Sequence, residues 1–138
     1  MGILVEKKNL CAGQKFYRPI VYVHGSEMQI ASAVSVNKPL AEELLRIKPD
    51  HRTIQLEKSF LRVLNSLPEL PTISGMDVMF NPAYEVDVMK VLISAYKQKP
   101  FSLLWPGRYE NGKLIYSAEE YPDYAVFEVS DYDIVCVI

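Results

Sequence analysis

The sequence predicts an α/β fold: one domain of two or three layers around a mostly parallel sheet, with a carboxyl-terminal β-hairpin added. Three features lead there. Phe101-Ser102-Leu103-Leu104-Trp105 is a short, near-continuous apolar run closed by Pro106-Gly107, which reads as a strand buried on both faces at the centre of a sheet. A strand region at 72–80, an apolar-striped segment at 82–98 and that central run follow in the order strand, helix, strand, a βαβ unit with a right-handed crossover. Asn111-Gly112 stands between Tyr109-Glu110 and Lys113-Leu114-Ile115-Tyr116, a hairpin signal because both turn residues tolerate positive φ.

The remaining elements follow in chain order. Ile3-Leu4-Val5 reads as a small strand or a loose arm, with Gly13 ending whatever order it has. Pro19-Ile20-Val21-Tyr22-Val23 is β-branched and aromatic and stops at His24-Gly25-Ser26, a second buried strand. Ile30 to Val36 alternates apolar with small residues, as a half-buried strand does. The short turn before it predicts a hairpin with 19–23 and leaves no room for a helix between them. Asn37 as N-cap, Pro39 in the first turn and Leu40, Leu44 and Ile47 at helical spacing predict a helix over 38–48. A second helix over 52–66 has Leu56, Phe60, Val63, Leu64 and Leu67 on one stripe, closed by Pro68 and Pro71. Asn81-Pro82 starts the helix over 82–98, whose buried stripe is Val88, Val91, Leu92, Ala95 and Tyr96. Tyr124–Val129 and Asp133–Ile138 have strand composition, and the all-apolar 134–138 belongs inside the sheet, beside 101–105 or 19–23.

Composition limits the function classes. A chain of 138 residues with 49% hydrophobic and 23% charged side chains buries roughly two thirds of its unfolded surface. The net charge of −2 argues against a protein whose main task is gripping nucleic-acid backbone. Cys11 and Cys136 stand far apart without metal-ligand spacing, which reads as two reduced thiols. Neither a signal-peptide core nor a membrane span is found, so the expected location is the cytoplasm.

Few residues carry chemistry. His24 lies at the carboxyl end of a buried strand, where α/β sheets place ligands and catalytic groups, although a structural histidine fits as well. Gly25 to Ser32 lacks the second glycine and the lysine of a phosphate loop, and Glu27 sets negative charge where phosphates would sit. The spacing of Asp77, Asp87, Glu119, Glu120 and Asp123 matches no metal cage. Tyr109, Tyr116, Tyr121, Tyr124 and Tyr132 read as cross-strand packing or as a stacking surface. Trp105 closes the central run and the Pro106-Gly107 break delivers Arg108 and Tyr109 beyond its carboxyl end; Trp and Arg are types enriched at binding hot spots, although a structural Trp with a surface Arg fits equally.

Val34-Ser35-Val36-Asn37 with its helix, Met79-Phe80-Asn81-Pro82 with its helix, and Leu103-Leu104-Trp105-Pro106-Gly107-Arg108 before a hairpin together resemble BrxF, the small P-loop protein of bacteriophage-exclusion (BREX) defence systems. The likeness runs from Pro19 to Ile138. It implies a P-loop NTPase-like core and a role in a bacterial anti-phage complex beside larger ATPase and methyltransferase subunits. The phosphate loop is missing, and Ser74 and Gly75 stand where an acidic residue would hold magnesium, with Asp77 the nearest carboxylate. No nucleotide-binding residue carries over, and no cofactor or metal is expected. The resemblance thus implies a degenerate, non-catalytic relative that binds another protein through Trp105, Arg108, Tyr109 and His24. Two other readings stay open: an enzyme handling a nucleotide or phosphate ester with His24, Arg108 and Asp77, and nucleic-acid binding through Arg46, Lys48, Arg52, Lys97, Lys99 and Arg108. Exposed sheet edges also admit a homodimer.

Overall fold

The computed structural model describes residues 1–10 and 17–138. Cys11 and Gly13 lie outside the described residues. The strands are β1 (Ile3–Val5), β2 (Ile20–Tyr22), β3 (Val34–Ser35), β4 (Thr72–Ser74), β5 (Ser102–Leu104), β6 (Arg108–Glu110), β7 (Lys113–Tyr116), β8 (Ala125–Glu128) and β9 (Val135–Val137). The helices are α1 (Glu27–Ser32), α2 (Asn37–Leu45), α3 (Arg52–Asn65) and α4 (Val88–Tyr96). Six strands lie in the order β1-β9-β2-β5-β4-β3, every pairing parallel, and β6-β7-β8 form a separate antiparallel sheet. The molecule is therefore α/β with a parallel main sheet. The central run has the interior place expected of it, and the apolar terminus lies beside β2.

The core forms on one face of the main sheet. Val21, Ile73, Leu103 and Cys136 sit in register on neighbouring strands, all fully buried. They join Leu40 of α2, Phe60 and Leu64 of α3 and Leu92 of α4 in one cluster. A buried aromatic or leucine of this kind contributes about 1.5–3 kcal/mol relative to exposure. On the other face Ile20, Tyr22, Thr72, Ser74, Ser102 and Leu104 are only half-buried, which corrects the expectation of burial on both sides for β2 and β5, whereas β9 is buried at all three of its residues. Chain direction explains it. The connections β3 to β4 and β4 to β5 step across the sheet one way, and β2 to β3 steps the other way. Right-handed crossovers then set α2, α3 and α4 on one face and α1 on the opposite one. Alpha1 has six residues, none of them buried, so it covers little of that face.

The segment from Gly25 to Val34 holds the largest correction. Residues 27–32 are a helix, not a strand, and β3 is a two-residue strand paired in parallel with β4 at the far edge, not half of a hairpin with β2. A capping box decides it: Ser26 Oγ accepts from Gln29 N at 3.1 Å while Gln29 Oε1 accepts from Ser26 N at 2.8 Å, satisfying two otherwise orphaned donors. Asn37 does not cap α2; it is the first helical residue, and its side chain is engaged elsewhere. Asn81 caps only a single turn, Pro82–Tyr84, because Glu85 then enters the left-handed region at φ 49°. The longer helix starts at Val88, with Asp87 Oδ1 accepting from Lys90 N at 3.3 Å.

The hairpin forms where it was expected. Asn111 and Gly112 both take positive φ, and Glu110 faces Lys113 across the turn. Its approach to the main sheet depends on Gly107. A Cβ there would lie 1.9 Å from the Ile115 carbonyl oxygen, a distance no side chain tolerates.

Candidate functional site

The carboxyl ends of β2, β3, β4 and β5 share one edge of the parallel sheet, the edge at which open α/β sheets bind ligands. Four stretches emerge there: His24-Gly25-Ser26, Val36-Asn37, Gly75-Met76-Asp77 and Trp105-Pro106-Gly107. Trp105 N donates to the Tyr22 carbonyl at 2.9 Å, so the ends of β2 and β5 are joined side by side. His24 follows and is exposed.

Trp105 itself faces inward. Only 6% exposed, its indole Nε1 donates to the Ile115 carbonyl at 3.1 Å. Its ring meets Phe80 and Phe127 edge-on at 6.0 and 5.8 Å. Phe80 in turn stacks on Tyr116 with ring centroids 3.8 Å apart. This aromatic cluster fastens the antiparallel sheet to the parallel one, and of the two places the sequence allows Trp105, buried run or binding surface, its ring takes the first. Arg108 is half-exposed on β6, where Nη1 donates to the Ser117 carbonyl at 2.8 Å and Nε pairs with Glu110 at 3.3 Å. Tyr109 is partly buried against the core. Of the four expected site residues, the structure thus brings His24 and Trp105 to neighbouring strand ends and carries Arg108 and Tyr109 away on the hairpin.

Asp77 is the acidic residue nearest the end of β4, and both of its oxygens are engaged. Oδ2 accepts from Asn37 Nδ2 at 2.9 Å and Oδ1 accepts from the Tyr116 hydroxyl at 2.8 Å. Asn37 Oδ1 also accepts from Val78 N at 3.0 Å. Burial, followed by the Asp77 hydrogen bond and the Asp77 and Asp123 charges, raises the Tyr116 phenol well above the ordinary tyrosine range. The trio is a clamp that ties the start of α2 and the end of β7 to the turn after β4. A second clamp of the same kind joins Tyr132 to Asp87 at 2.7 Å, and the Tyr132 phenol is pushed up to about 12, first by burial and then by that bond. Tyr116 and Tyr132 were legible as packing residues; their aspartate partners were not, because they lie 39 and 45 residues away.

After β2, the place a phosphate cradle would occupy is filled by the Ser26–Gln29 capping box with Glu27 in the first turn, which repels anions at a helix start. Among the described residues, no group of three or more His, Cys, Asp or Glu is placed to hold a metal ion. The cationic cluster at the junction of α2 and α3 is largely engaged. Arg52 Nε donates to the Leu44 and Ile47 carbonyls at 2.9 and 3.1 Å, and Glu43 pairs with Arg46 and Arg62. Lys99 donates to the Leu67 carbonyl at 3.3 Å. No helix among the described residues is long and apolar enough to cross a membrane.

Sequence reasoning missed α1. It stands beside His24 with Met28 83% and Ile30 62% exposed. Its position over the sheet is marked by Gly25, where a Cβ would meet Leu104 Cδ2 at 3.1 Å and Ile30 Cγ1 at 3.2 Å. The signal was Ser26 followed three residues later by Gln29, a helix-start pattern. No protein-family model, curated protein or solved structure matches the chain.

Proposed function

We propose that this chain is a non-catalytic, protein-binding component of a bacterial anti-phage assembly of the BREX type, cytoplasmic, on a P-loop NTPase-like sheet that has lost its phosphate loop. The observation that carries the binding reading is α1, a helix that buries none of its residues in its own fold yet presents Met28 and Ile30 to solvent at the ligand-binding edge. Surface helices of globular proteins typically bury an apolar stripe, and the two large apolar side chains of α1 are left open to a partner. Methionine suits such a surface, since its flexible thioether adapts to the opposing shape. His24 borders the patch, Arg108 lies on the adjoining hairpin, and Trp105 supports the strand end from within. The capping box and Glu27 at the start of α1 leave no anion cradle after β2, which fits the reading of a lost phosphate loop.

The test is co-purification from a host that carries the remaining defence genes. Met28→Asp with Ile30→Asp should strip the larger subunits from the tagged chain without moving its melting temperature appreciably. Full retention of those subunits by the double variant would defeat the proposal.

A further inference from the structure

Between the segment running from Met79 to Val88 and strand β8 lies a cleft of about 180 Å³. Buried Phe80, Val88 and Phe127 and half-buried Tyr124 form its apolar lining. Glu85 and Asp123 are its acidic residues, and no Lys, Arg or His lines it. The walls are preformed: Phe80 is fixed by its stack on Tyr116 and by an edge contact with Phe127 at 6.2 Å. Asp123 is positioned too, its Oδ1 accepting from the Ser117 hydroxyl at 2.7 Å, while Glu85 stands exposed at the rim on a backbone turn held by its N–H bond to the Pro82 carbonyl at 3.3 Å.

Size and charge narrow the occupant. The cleft is smaller than the roughly 300–1,000 Å³ of pockets that take drug-sized ligands, which excludes a nucleotide and leaves room for one long side chain. Neither Glu85 nor Asp123 takes part in an ion pair among the described residues. From Leu114 to the end the chain has Glu119, Glu120, Asp123, Glu128, Asp131 and Asp133 and no Lys, Arg or His; Glu128 and Asp133 pair with Lys113 and Arg18, and the other four carboxylates leave a local excess of negative charge that attracts cations. Aromatic walls below carboxylates suit a cation on an apolar stem, which gains ring contact and charge pairing together. A planar guanidinium fits better than an ammonium, because it stacks on rings and is more weakly hydrated.

We propose that this cleft receives one arginine side chain of a partner protein, its methylene stem against Phe80 and Phe127 and its guanidinium between Glu85 and Asp123. The inference is independent of the α1 surface, since other elements build the cleft and its test is read only at their residues.

The test is a titration of the isotope-labelled chain, followed by NMR amide shifts at residues 79–88 and 122–127. The probes are N-acetyl-Gly-Arg-Gly-amide, the same peptide with norleucine for arginine, and agmatine as a free small cation. The arginine peptide should give saturable shifts confined to those residues. Glu85→Gln, at an exposed position that leaves the fold intact, should weaken it about two- to fivefold, as loss of a partly exposed ion pair does. Absent shifts, equal shifts with the norleucine peptide, or an unchanged affinity in the Glu85 variant would each overturn the proposal. Agmatine binding tenfold tighter than the peptide would overturn it as well, by showing a site for a free small cation.

Discussion

Replacing Trp105 by alanine tests the place of the aromatic cluster between the two sheets. The ring is 6% exposed and lies edge-on to two other buried rings, so its removal belongs with large-to-small core changes, which cost about 3–5 kcal/mol for Trp or Phe. The Ile115 carbonyl loses its indole donor as well, and an unsatisfied buried acceptor costs about 1–3 kcal/mol. Trp105→Phe separates the two effects, since it keeps a ring and loses the donor; it should cost about 1–3 kcal/mol. With a urea slope of about 2 kcal/mol/M for a chain of this size, a 4 kcal/mol loss moves the midpoint down by about 2 M. Far-UV circular dichroism reads this transition, because the variant lacks the only tryptophan. In the unchanged protein that tryptophan should emit at short wavelength and resist acrylamide quenching. A midpoint shift equivalent to about 0.5 kcal/mol or less, the range of ordinary surface substitutions, would refute a core role for Trp105.

Other perturbations test the neighbouring joints. Gly107→Ala places a Cβ on the Ile115 carbonyl oxygen and should destabilise by about 1–3 kcal/mol, as other forced overpacking does, read as a lower urea midpoint. Asn37→Ala should cost about 1–2 kcal/mol through its lost bonds to Asp77 and Val78. Asn37→Asp should fail to restore that loss, since it sets a second carboxylate against Asp77; if Asn37 were only a helix cap, aspartate would serve as well. Alkaline stability follows from the raised pKa values of Tyr116, Tyr132 and Cys136, the last two reaching about 12. A folded value above the unfolded one means that the neutral forms stabilise the fold. That contribution is complete below the unfolded values of 9.0 for the thiol and 10.0 for the phenols, and is lost as pH rises through the folded ones. Urea midpoints should therefore fall above about pH 9, less steeply in Tyr132→Phe, and an unchanged slope in that variant would contradict the clamp to Asp87.

The sequence made the fold class readable because its strongest local signals coincide with its tertiary roles. The Phe101–Trp105 run as an interior strand, the stripe of α3 and the Asn111-Gly112 turn are strong local signals, and each element forms where it was read, although the other face of the central strand is only half-buried. The failures share a cause: short segments whose side chains serve distant partners. Ile30 to Val36 alternates like a strand, yet a six-residue helix wins because Ser26 and Gln29 satisfy its first turn. Asn37 has the composition of a cap, but its amide is spent on Asp77 and Val78, 40 and 41 residues away. Trp105 reads equally as a surface anchor and as core until Phe80 and Phe127, from two other elements, are seen to enclose it. The candidate surface was therefore half legible. Its edge of the sheet follows from strand order and the start of α1 is marked by Ser26 and Gln29, whereas the exposure of Met28 and Ile30 emerges only from the structure.

Hydrogen exchange across α1, measured on the free chain and on the chain within its purified assembly, tests the docking claim most directly. A helix with no buried residue should exchange fast when free, because little but its own hydrogen bonds resists opening. The account predicts strong new protection over residues 26–33 on assembly, larger than in α3, which is already buried. Unchanged exchange over 26–33, with new protection appearing on other surfaces, would contradict it.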